Sequence, residues 1–175
     1  MKRPLCYYGN PILRVKALPI ETITDEIRQL AADMIETMDA LNGVGLAANQ
    51  VGVALQIFVI RPELKNEQGD YVLGPPEVYL NPRLSHPTAD EETMNEGCLS
   101  FPGLHAEVTR PYGIHLEALD LEGKKVALDL FGFKAREIMH ENDHLNGKLF
   151  IDRVTEKTKK EIAPFLKELK RKYFL

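Results

Sequence analysis

Seven apolar residues at helical spacing, Ile27, Leu30, Ala31, Met34, Ile35, Met38 and Leu41, form one stripe along an otherwise polar segment. That spacing predicts an amphipathic helix from Thr24 to about Leu41. Thr24 stands at the N-cap, Asp25 and Glu26 suit the positive first turn, and Asn42-Gly43 ends the helix. After a glycine-rich turn the period changes. Leu55-Gln56-Ile57-Phe58-Val59-Ile60 is an apolar run of strand length and reads as a buried strand. Residues 62–76 hold Pro62, Gly69, Gly74, Pro75 and Pro76 among charges and read as a surface loop. Strands are expected at Glu77–Asn81 and Gly113–Leu121, with Leu121-Glu122-Gly123-Lys124 turning the chain into Val126–Phe131. A second helix is expected from about Phe133 to Asn146, stopped by Gly147. A third spans Thr155 to Tyr173, where Pro164 implies a kink or a late start. The segment through Pro19, with Gly9-Asn10-Pro11, reads as irregular chain on the surface. Helix, antiparallel-looking or mixed strands and helix give an α+β fold in a single domain over residues 1–175, with a basic C-terminal helix over 155–175.

Composition narrows the class. At 175 residues the chain can bury a core of ordinary size, and 44% apolar with 27% charged residues is normal for a globular protein. A net charge of −4 argues against bulk attraction to DNA or to an anionic membrane. No apolar run approaches a membrane span, and Met1-Lys2-Arg3-Pro4 opens no signal peptide. The expected compartment is therefore the cytoplasm of a bacterium, with an organelle as the less favoured alternative. The two cysteines, Cys6 and Cys98, have a spacing compatible with a disulfide, but a chain without an export signal favours free thiols.

Three short motifs carry the candidate chemistry. In His140-Glu141-Asn142-Asp143-His144 the two histidines are four apart on a helix and can reach one ion, with Glu141 beside it to move protons for a water. Ala135, Ile138 and Met139 around the motif indicate that its helix is partly buried, where histidines need partners. Asp143 is available as an acceptor for an imidazole N–H or as an ion-pair partner. In Glu96-Gly97-Cys98-Leu99-Ser100 the thiolate of Cys98 is a third candidate ligand, Gly97 permits close approach of backbone to a ligand, and Glu96 is expected to pair with Arg110. Three protein ligands with one open position characterise a catalytic rather than a structural ion. In Gly43-Val44-Gly45-Leu46-Ala47-Ala48-Asn49-Gln50 the chain is stripped of bulk, so that a substrate backbone can lie against it, and Gln50 offers an amide donor. His86, His105 and His115 read as structural or solvated, His105 being near enough to the cysteine motif to line the site.

In order and spacing the three motifs resemble the peptide deformylases, and the resemblance covers nearly the whole chain. It implies sheets packed around a central metal helix, and removal of the N-formyl group from the formyl-methionine of nascent proteins. It also implies metal ligands Cys98, His140 and His144, a proton-transferring Glu141, an oxyanion held by Gln50 and by the Leu99 N–H, and peptide backbone held by Val44, Gly45 and Gly97. The implied ion is iron(II), with zinc, nickel and cobalt also suited to one thiolate and two imidazoles. For the basic C-terminal helix the resemblance implies docking to the ribosome, against the plain alternative of a solvated helix face. The chain departs from the usual pattern at His105, Met139, Asn142 and Glu137, the last at a usually small or apolar position lining the side-chain pocket. The competing classes are a metallopeptidase or other amidase, which the thiolate ligand and Gln50 oppose, and a module with a structural ion. The latter needs a fourth ligand, for which Cys6 is the only other thiol.

Overall fold

The fold follows from one strand with both faces buried. In a computed structural model, which describes residues 1–174, every side chain of the strand Ile57–Ile60 is buried. Ile57 and Val59 face a helix α1, Asp25–Ala40, through Leu30, Ala31, Met34 and Met38. Phe58 and Ile60 face a helix α2, Gly132–Leu145, through Ala135, Ile138 and Leu145. This sandwiching explains why the segment lacks polar alternation, since neither face meets water. Among the described residues the strands are β1 Gly45–Ala47, β2 Ile57–Ile60, β3 Glu63–Lys65, β4 Tyr71–Leu73, β5 Glu77–Ser85, β6 Glu91–Gly97, β7 His105–Pro111, β8 Gly113–Leu119 and β9 Lys125–Phe131. Five form an antiparallel sheet in the order β1-β2-β5-β8-β9, while β3-β4 and β6-β7 are separate two-stranded ribbons. A third helix, α3 Glu156–Tyr173, completes an α+β domain whose third core cluster joins Ile162 and Leu169 of α3 to Val108, Phe101 and Phe150.

The expected elements are present, with four corrections. Residues 62–76 form the β3-β4 hairpin rather than a loop; Asn66 Oδ1 accepts from the Gln68 and Asp70 N–H groups to make its turn. The expected strand at Glu77 continues past Asn81 to Ser85, because a bulge between Leu80 and Arg83 absorbs Pro82. Residues 91–97 and 105–111 pair along their full lengths, although no strands were expected there. The N-terminal segment is not merely superficial: Asn10 caps a 3₁₀ turn at Pro11–Arg14, which buries Leu13, and Ala17 is buried as well. Of the two readings of Pro164, the late start fails, since α3 begins at Glu156 with Thr155 Oγ1 accepting from the Thr158 N–H. Leu175, the last residue of the basic helix expected over 155–175, lies outside the described residues.

Candidate active site

Helix α2 is the platform of the site. His140 and His144 lie one turn apart on its buried side, with ring centroids 5.1 Å apart. The turn following β6 brings Cys98 to them, its Sγ 3.3 Å from His144 Nε2. Ligand atoms of Cys98, His140 and His144 lie within 4.8 Å of one another, the one such cluster among the described residues. Two ligands of a single tetrahedral ion stand roughly 3.5 Å apart, so the thiol–imidazole separation fits. His140 Nδ1 is 3.0 Å from Glu96 Oε2, which directs the other ring nitrogen to the cluster, the usual support for a metal-binding imidazole. The residues therefore suit a divalent ion with one position left open. Both cysteines are free thiols.

Around Glu96 is a buried ion network. Arg110 donates to both Glu96 oxygens at 2.6 and 3.0 Å and reaches Asp143 at 2.9 Å. Arg136 donates to Glu96 Oε1 at 2.7 Å, and Arg153 donates to both Asp143 oxygens. Burial alone would raise the Glu96 pKa, but the bonds from His140 and Arg110 hold it well below the usual carboxylate range. The expected Glu96–Arg110 pair is thus present. Asp143 takes the ion-pair role of the two open to it, and the imidazole acceptor is Glu96. Sequence reasoning missed Arg136, although its four-residue spacing from His140 places both on one helix face.

A cavity of about 530 Å³ opens over this centre, and Gly43, Val44, Gly45, Gln50, Gly97, Leu99, His105, Glu137 and Glu141 are among the residues lining it. Gln50, buried, accepts from the Ala47 N–H through Oε1 and donates through Nε2 to Ser100 Oγ at 3.1 Å and Cys98 Sγ at 3.4 Å. Among the described residues the Leu99 N–H meets no protein acceptor. Strand β1 is the outer strand of its sheet and pairs only with β2. The Val44 carbonyl accepts from the Arg61 N–H, so by antiparallel alternation it is Gly45 whose backbone groups face the open edge. Leu5 and Tyr7 also line the cavity, which the superficial reading of the N-terminus did not anticipate.

At Gly45 and Gly97 a side chain could be added only by displacing a neighbour. A Cβ on Gly45 would collide with Glu141 Oε1, and one on Gly97 would lie 2.7 Å from the His105 ring. Gly45→Ala is therefore expected to displace the Glu141 carboxylate and lower kcat roughly ten- to a hundredfold while metal content, measured by atomic emission, is unchanged.

Two carboxylates of α2 lack partners in the protein: both oxygens of Glu137 and Oε2 of Glu141. Burial pushes Glu141 up to about 7 and, reinforced by the nearby Glu141 charge, pushes Glu137 up to about 8 from 4.5. Between pH 4.5 and 8 the unfolded chain ionises at Glu137 while the folded protein retains the proton, so this group's contribution to stability falls as pH rises. Glu137→Gln is expected to raise Tm, with a gain that grows from pH 5 to pH 8 in calorimetric scans. A gain independent of pH would contradict this assignment.

Known proteins resemble this chain in sequence and fold. Residues 2–160 match the family described as Polypeptide deformylase. The peptide deformylase of Methylacidiphilum infernorum is 42% identical over 95% of this chain and 92% of its own, and that of Acinetobacter baumannii 43% over 90% of each. The solved structure of the Ehrlichia chaffeensis peptide deformylase superposes with a TM-score of 0.87 at 30% identity, covering 100% of both chains. A mutant of an Arabidopsis thaliana peptide deformylase gives a TM-score of 0.88 at 35% identity over 97% of this chain and 90% of that one. Motifs, architecture and relatives agree over essentially the full length, and the chain belongs to the polypeptide deformylase family.

Proposed function

We propose that this chain hydrolyses the N-formyl amide of nascent peptides beginning with formyl-methionine, with a divalent ion held by Cys98, His140 and His144. The observation that carries the reading is the convergence of those three donors with Glu141 and Gln50 on one cavity beside an open strand edge. When bound, the ion supplies Lewis acidity, making a water ionisable near neutral pH and polarising the formyl oxygen. Glu141, buried against Gly45, accepts the proton of the water that attacks the formyl carbon. Gln50 Nε2 and the Leu99 N–H donate to the oxyanion that develops there, each worth about 3 kcal/mol in the transition state. Glu141 then returns the proton to the departing nitrogen, the C–N bond breaks, and formate and a free N-terminus result. Gly45 on β1 and Gly97 at the end of β6 hold the peptide as an added strand, with Val44 lining its path.

The whole chain, 1–175, is read as one catalytic unit. Iron(II) is the ion assigned, on the family resemblance; the donor set alone accepts zinc, nickel or cobalt equally. Docking of α3 to the ribosome is the weaker part of the reading. Lys157, Lys159 and Arg171 are matched by Glu161, Glu156 and Glu168, which leaves Lys160, Lys167, Lys170 and Lys172 to meet phosphates. The bacterial cytoplasm is the compartment proposed, with an organelle the less favoured alternative; no helix among the described residues is long and apolar enough to cross a membrane. The deciding experiment compares formate release from formyl-Met-Ala-Ser and acetyl-Met-Ala-Ser, using protein purified anaerobically with iron(II) or loaded with nickel. Release from the formyl peptide alone supports the reading, and its absence from a protein shown to hold one ion refutes it.

A further inference from the structure

Glu137 has no role in the chemistry above, yet the residue is among those lining the cavity, with only 6% of it exposed and its carboxyl oxygens buried. Neither oxygen meets a donor in the protein. Leaving a buried carboxyl unpaired is costly, so such groups meet either water or a ligand. Among the neighbouring charges Glu141, Glu63 and Glu77 oppose its ionisation and Lys134 favours it, but Lys134 Nζ is bonded to Glu77 at 2.9 Å. The position is one helical turn before Glu141, about 5.4 Å along the axis. If the formyl carbon reacts beside Glu141, the tip of a Met- or Gln-length first side chain reaches the level of Glu137.

We infer that Glu137 is a specificity-determining residue that accepts a hydrogen bond from the tip of the substrate's first side chain, so that N-formyl peptides whose first residue ends in a donor are substrates alongside formyl-methionine. The inference rests on the deformylase reading and names a substrate class within it. A carboxyl offers an acceptor oxygen whether or not it is ionised. A pocket with no acceptor at this level would leave the amide of a bound glutamine unpaired and reject it; the Glu137 oxygen satisfies that amide.

The test measures kcat/KM for formyl-Gln-Ala-Ser against formyl-Met-Ala-Ser in the wild type, Glu137→Val, Glu137→Ala and Glu137→Gln. In both apolar variants the Gln-to-Met ratio is expected to fall about ten- to a hundredfold. Glu137→Gln, which keeps an acceptor oxygen, is expected to stay within a few-fold of the wild type. A purely structural role would change both substrates together, so an unchanged ratio in the apolar variants overturns the inference. Binding of Gln-Ala-Ser and Met-Ala-Ser, measured by calorimetry, reads the same preference without turnover. If the wild type releases formate from neither peptide, the deformylase reading has failed. The calorimetric ratio then decides the pocket's chemistry alone: selective weakening of Gln-Ala-Ser in Glu137→Val supports the inference, and equal affinities overturn it.

Discussion

Replacing Glu141 with alanine is expected to lower formate release by about 10³-fold while the protein keeps its ion. General acid–base groups contribute about 10²–10⁴-fold, and this side chain would serve twice, toward the water and toward the leaving nitrogen. The candidate ligand set of Cys98, His140 and His144 excludes Glu141, so metal content measured by atomic emission stays at one per chain. The fold is also expected to survive, because Oε2 of this buried carboxyl has no protein partner to lose. A mutant that turns over within tenfold of the wild type would remove Glu141 from the mechanism. A mutant that loses its ion would make it a ligand.

The second large effect is expected at Glu96, which has no part in the proposed chemistry. Glu96→Ala leaves the guanidinium groups of Arg110 and Arg136 and the Nδ1 of His140 without their shared carboxylate, all of them buried. Breaking a buried charge network from one side costs about 3–5 kcal/mol, or a Tm lower by roughly 10 °C in a chain of this size. Metal affinity is expected to fall about ten- to a hundredfold, since His140 loses the group that orients it. Glu96→Gln retains an acceptor and should be milder in both readouts. The pH dependence has a definite sign. The folded-state pKa of Glu96 lies below its unfolded value of about 4.5, so its contribution is full above that pH and is lost on acidification. Thermal scans from pH 7 to pH 3 should show a steeper acid decline in the wild type than in Glu96→Gln.

What the sequence disclosed depended on whether one physical rule acted alone. The α1 stripe is legible because a single amphipathic face meets a single core layer. The ribbon β6-β7 is not: Ala106, Val108 and Arg110 alternate as buried positions, but an arginine in a buried slot breaks the apolar pattern. Its burial depends on Glu96 and Asp143, which only the tertiary structure brings to it. Strand β5 was truncated at Asn81 for a similar reason. The bulge at Pro82 is stabilised at a distance, where the Asn81 side chain accepts from the Ile20 N–H and donates to the Ile20 carbonyl. The ligand candidates were legible because metal chemistry demands particular residues at fixed helical spacing. Glu137 shows the reverse case. Its departure from the usual small or apolar residue was visible in the sequence, and burial without a partner gives that departure its physical meaning.

The separate pairing of β6 with β7 bears on how the molecule breathes. Cys98 follows β6, whereas His140 and His144 belong to α2, and no strand pairing joins that ribbon to the five-stranded sheet. An ion gripping all three side chains would therefore tie α2 to the end of a ribbon whose backbone bonds to the rest of the fold lie at its far end, where Thr88 donates to the Gly113 carbonyl and Gly132 to the Tyr112 carbonyl. Loading the centre should slow hydrogen exchange in the β6-β7 amides far more than in β2, whose fully buried residues are expected to exchange only on global unfolding.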